Sequence, residues 1–154
     1  MSIIFPTYSE KKSLSKSKQK KFCIWQIVTN CERKRMRKLA LSVRVAFCFP
    51  DVYEIGMSNL GMMLLYNMFN KRPDVWCERV YSPWLDLDKL MREQNIPLFA
   101  LESQDPVRDF DFLCITLGYE MCYTNVLQTL DLSQIPLKAA DRDESCPIVI
   151  GGGA

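Results

Sequence analysis

The chain has 154 residues, of which 48% are hydrophobic, 25% charged and 11% aromatic, ordinary proportions for a globular protein that exclude collagen, coiled coil and a wholly disordered chain. It contains no His, so every mechanism or metal site that depends on imidazole is excluded. The net charge of +2 hides an asymmetry: residues 1–40 carry 11 Lys/Arg against Glu10 and Glu32, while the rest carry 9 Lys/Arg against 16 Asp/Glu.

Residues 1–40 are therefore read as a basic, disordered leader and residues 41–154 as the folding domain. In the leader, a Lys/Ser stretch over Lys11–Lys21 and a second basic cluster, Arg33–Lys38, flank an apolar island, Phe22–Val28. The charged stretch before the island is too long for a signal peptide, and no small-residue cleavage site follows. Lys/Arg clusters neutralise phosphates whatever the sequence, so RNA contact through this head is an alternative reading of it. No apolar run approaches the roughly 18 residues of a membrane helix; the expectation is a soluble, cytoplasmic protein without a membrane partner. The seven cysteines form neither Cys-x-x-Cys nor Cys-x-x-x-Cys-x-x-Cys. They are read as reduced, buried thiols and not as a metal or disulfide framework.

From Leu41 onward strand-like and helix-like segments alternate, as in an open, mostly parallel α/β sheet of Rossmann-like (flavodoxin-like) type. Val43–Phe49 is a β-branched and aromatic run closed by Pro50-Asp51, a buried first strand. Ser58 or Asn59 caps a helix to about Lys71, with apolar residues at Leu60, Met63, Leu64, Met68 and Phe69. So wide an apolar face predicts contact both with the sheet and with something else. Arg79–Tyr81 reads as a second strand, Asp86–Gln94 as a polar helix, Pro97–Leu101 as a short third strand and Phe112–Leu117 as a fourth. A helix over Tyr123–Leu132 and a fifth strand, Pro147–Ile150, complete the pattern before Gly151-Gly152-Gly153. Because such sheets return a helix after the last strand, the domain is expected to be incomplete at its C-terminus, a fragment of a longer protein.

Ligands of open α/β sheets bind beyond the carboxyl ends of the strands. Three segments are expected there: Asp51–Gly61 after the first strand, Thr116–Asn125 after the fourth, and Gly151–Gly153 after the fifth. Gly56, Gly61, Gly151, Gly152 and Gly153 allow close backbone approach. Asp51, Tyr53, Glu54, Asn59, Thr116, Tyr119 and Glu120 supply polar groups. Each also has a plain structural reading, as a turn glycine, a capping residue or an edge aromatic. Neither the dinucleotide nor the P-loop phosphate fingerprint is met.

Phe49-Pro-Asp-Val-Tyr-Glu-Ile-Gly-Met-Ser58, Arg72-Pro-Asp74, Glu78-Arg-Val-Tyr-Ser-Pro-Trp84, Ile96–Ser103, Tyr119-Glu-Met-Cys-Tyr-Thr-Asn125 and Ile150-Gly-Gly152 together resemble the amino-terminal cobalamin-binding-like domain of a family of bacterial radical S-adenosylmethionine proteins. The resemblance covers about Leu41 to Gly152. It implies a Rossmann-like domain that precedes, and partners, a barrel carrying Cys-x-x-x-Cys-x-x-Cys, a [4Fe–4S] cluster and S-adenosylmethionine. That motif is absent here, so the resemblance implies that this chain alone catalyses nothing and that the parent protein is the enzyme. The chain departs from the family at Asn59, where many members have His, at Gly153, where Pro is usual, and throughout residues 1–40. The family lacks the Asp-x-His-x-x-Gly motif of methionine-synthase-like domains. Cobalamin would then face Asp51–Gly61 without imidazole ligation, with its nucleotide tail at Gly151-Gly152. The rival expectation is a Rossmann-like module that binds no cofactor and packs on the barrel through Leu60–Phe69.

Overall fold

The computed structural model describes residues 43–153; the basic leader proposed for residues 1–40 lies outside them. Four strands, β1 (Val43–Phe49), β2 (Val75–Tyr81), β3 (Phe112–Thr116) and β4 (Ile148–Gly152), form one all-parallel sheet in the order β2-β1-β3-β4. The helices are α1 (Tyr53–Gly56), α2 (Leu60–Lys71), α3 (Leu85–Glu93) and α4 (Tyr123–Leu132). This is the open α/β sheet expected of a flavodoxin-like fold. Among the described residues no helix is long and apolar enough to cross a membrane.

Alternation along the strands divides the core between two faces. On one, Ala46, Cys48, Val80, Leu113 and Ile115 pack with Met91 of α3 and Leu130 of α4. The two helices are tied to each other by Arg92 to Asp131 at 2.6 Å and Gln128 to Asp88 at 3.1 Å. On the other face Val45, Phe47, Phe49, Val75, Cys77 and Tyr81 meet Met62, Tyr66 and Phe69 of α2. That cover stops short of β4. Ile148 and Ile150, in register with Phe112 and Cys114, are 60% and 49% exposed. Helix α2 also has a second apolar side, with Leu60 and Leu64 at 71% and 61% exposure, as its wide apolar face predicts.

Three expectations are corrected. The last strand runs past Ile150, so Gly151 and Gly152 lie within β4 and pair with Ile115 and Thr116 instead of following the strand. The second strand begins four residues earlier than Arg79, at Val75, because Glu78 interrupts the apolar pattern yet is fully buried. Its carboxylate accepts from Trp76 Nε1 at 2.5 Å and Ser103 N at 2.7 Å, so burial leaves it paired. Pro97–Leu101 is not a strand of the sheet; it makes an isolated antiparallel bridge, Phe99 to Pro106. Gln104 at φ 63° turns the chain back, and the Glu102 carboxylate takes the Arg79 N–H at 2.7 Å, a donor that a neighbouring strand's carbonyl would otherwise accept. Leu98 and Ala100 are buried all the same.

Candidate functional site

The connection from β1 runs to β2 on one side, and that from β3 runs to β4 on the other. The chain therefore diverges between β1 and β3, the place where open α/β sheets hold ligands. Asp51 sits at the head of β1 and is hydrogen-bonded on every side. Its carbonyl accepts from Ser82 N at 2.9 Å, Oδ1 from Val52 N at 2.7 Å, and Oδ2 from the Tyr119 hydroxyl at 2.7 Å. The bond to Asp51 is the main reason the Tyr119 phenol titrates above its ordinary range. A second tie joins the same two loops, Asn125 Nδ2 to the Pro50 carbonyl at 2.9 Å.

The rest of the first loop is folded down onto the sheet. Tyr53 packs edge-to-face on Tyr81, ring centroids 5.2 Å apart. Gly56 is buried beneath it, where a Cβ would lie 2.6 Å from Tyr81 Cε1 and 2.8 Å from Phe49 Cδ1; packing forbids a side chain there. Asn59 caps α2 through Oδ1 and Met62 N at 2.8 Å. Gly61 lies exposed in the first turn of α2, and Glu54 and Glu120 are exposed on their loops.

Thr116, Gly151, Gly152 and Gly153 come together at the ends of β3 and β4, where Leu117 N donates to the Gly152 carbonyl at 2.8 Å. A Cβ at Gly118 or Gly152 would meet nothing within 4 Å, so backbone there faces open space. The Thr116 hydroxyl, in register with Gly152, is buried without a hydrogen-bond partner. Gly153 at φ +125° holds a conformation that other residues rarely adopt. Segments 50–61, 82–88, 117–127 and 151–153 contain Asp51, Glu54, Asp86, Asp88 and Glu120 and no Lys or Arg.

The structure thus joins Asp51 to Tyr119, and Thr116 to the terminal glycines, while Tyr53 and Gly56 serve the packing underneath. Sequence reasoning did not single out Asn125 or Gly118. The available signals were an Asn in the first turn of a helix, a type that favours side-chain to backbone bonding, and a Gly directly after a strand.

Residues 61–154 match the family described as radical SAM proteins, N-terminal. The chain is 27% identical over 86 residues to an uncharacterized protein of Methanocaldococcus jannaschii, an alignment covering 56% of this chain and 15% of that protein. It therefore spans only a small part of that relative's length. No solved structure matches it.

Proposed function

The chain belongs to the family of radical SAM protein N-terminal regions, and from that premise we propose that it is the cofactor-holding domain of such a protein, taking a cobalamin-type corrinoid at the carboxyl edge of its sheet. The observation that carries this reading is the open, glycine-lined end of β3 and β4. Gly118 and Gly152 leave room for a ligand against the backbone, and the buried Thr116 hydroxyl beside Gly152 lacks a partner. These residues fit an extended, amide-rich group such as the corrinoid's side arms and tail. Asp51 stands at the neighbouring loop, its carboxylate able to hydrogen-bond corrin amides once released from the Tyr119 hydroxyl. A bound corrinoid would supply a cobalt centre for methyl-transfer or one-electron chemistry. The chain's own part is to bind and orient it. Asp51-Val-Tyr-Glu-Ile-Gly56 keeps the spacing of Asp-x-His-x-x-Gly with Tyr53 in the His position, and that ring is engaged with Tyr81, so this loop offers no imidazole to cobalt. We assign the [4Fe–4S] cluster and S-adenosylmethionine to a barrel domain of the same protein, in the cytoplasm, where free cysteines persist.

Hydroxocobalamin is expected to co-elute with the folded chain, and Gly152→Val to abolish this while leaving the fold intact, because a Cβ there meets no protein atom. Because the chain has no His, bound cob(II)alamin should show no electron-paramagnetic-resonance splitting from a protein imidazole. A folded sample that retains no corrinoid overturns the reading. The exposed row Leu60, Leu64, Leu65 and Met68 of α2 favours the second reading, a module that packs on the barrel and holds no cofactor, and that negative result would select it.

A further inference from the structure

We propose that the Tyr119–Asp51 hydrogen bond is a latch across the ligand crevice, and that the crevice admits its ligand only when this bond opens. The inference rests on the cofactor-holding reading for the identity of the ligand, but not for the existence of the latch.

The switch point lies between β1 and β3, whose outgoing loops leave in opposite directions. Left to their connections, these loops would part and leave a cleft. Here they are drawn back together. The loop after β3 places Tyr119 in an extended conformation, φ −168° and ψ 161°, and its hydroxyl reaches Asp51 Oδ2 at 2.7 Å, spanning 68 residues of sequence. The receiving carboxylate is itself fixed, since Val52 N donates to its other oxygen. Asn125 holds the root of the same loop through the Pro50 carbonyl.

The two ties differ in kind. Asn125 is half-buried in α4 and bonds to backbone, so it moves with the frame. Tyr119 is 42% exposed on a loop whose neighbours Gly118, Glu120 and Met121 are exposed too. The Cβ-free backbone of Gly118 adjoins it and faces open space, which gives the segment a residue able to absorb a change of backbone angle. Tyr119 is thus the contact that can open while Asn125 stays closed. Although a bond to a carboxylate is stronger than a neutral one, this one is exposed to water, which competes for both groups, so the open state remains accessible. A ligand that binds only the open state has its apparent affinity reduced by the closed population.

The test is amide hydrogen exchange over residues 117–122 in the full chain without ligand, combined with hydroxocobalamin binding, for the wild type, Tyr119→Phe and a control, Tyr123→Phe. Removing the hydroxyl should speed exchange in that segment by about three- to tenfold and tighten corrinoid binding by a similar factor, while Tyr123→Phe changes neither. Unchanged exchange in Tyr119→Phe overturns the latch. Faster exchange with weaker binding also overturns it as a gate, because the phenol would then be a ligand contact. If neither protein retains corrinoid although exchange responds, the cofactor reading fails and the latch stands as a closure of the loops.

Discussion

The two faces of the sheet are built from similar residues and end in different states. On the face under α3 and α4, Cys48, Leu113, Val80 and Met91 are sealed, and the helices above are bonded to each other. On the face under α2, the apolar surface continues past the helix onto Ile148 and Ile150, which remain exposed. The difference teaches that composition alone does not decide burial. Cys48 and Cys114 occupy neighbouring strands one residue apart in register, so Cys48 faces the sealed layer and Cys114 the partly open one.

The two thiols give the largest expected contrast. Burial pushes Cys48 up to about 12, which leaves about a thousandfold less thiolate at pH 8 than an ordinary thiol would hold. Cys114 is raised as well, again by burial, but it is only half-enclosed. Iodoacetamide followed by peptide mapping should label Cys114 and spare Cys48, with native Cys48 labelling rising about tenfold per pH unit below that value. Equal labelling of the two would mean that the sealed face opens in solution.

Next in size is a truncation on each face. Leu113→Ala, at a fully buried position, should cost about 2–5 kcal/mol in denaturant unfolding. Ile148→Ala should stay within about 0.5 kcal/mol, as exposed positions do. A comparable loss at both sites would show that something covers β4 in solution.

Much of this division was readable beforehand, and the failures have a common origin. The apolar run of β1 ended at Pro50-Asp51, the Asn59 cap and the Tyr123–Leu132 helix all follow from local rules, and they appear as expected. Glu78 and Glu102 are where local rules fail. A buried carboxylate reads as surface until its partners are known, and those partners, Ser103 N, Trp76 Nε1, Arg44 and Arg79, come from 2 to 34 residues away. The same holds at the candidate site. The three segments and their glycines were legible from strand ends, but the bond between Asp51 and Tyr119 depends on the order of the strands, which periodicity does not encode.

A smaller loss than at Leu113 concerns how the first loop is seated on the partly open face. Gly56→Ala would press a methyl group into the rings of Tyr81 and Phe49, and should destabilise by about 1–3 kcal/mol in thermal or denaturant unfolding. If the variant is instead as stable as the wild type, the loop lifts freely and Tyr53 does not depend on its seat against Tyr81.

The carboxyl edge carries Asp51, Glu54 and Glu120 and no Lys or Arg over residues 50–61, 117–127 and 151–153, and this charge bears on how a solute arrives. Its field extends roughly a Debye length, about 10 Å at 0.1 M salt, into the solvent. Within that distance polyphosphates are turned away and cations are drawn in, so adding salt should speed the approach of the former and slow that of the latter. A corrinoid, with one phosphate and a cationic metal core, is nearly indifferent to such a field. Charge therefore weights the approach of any solute to this edge before a hydrogen bond is made.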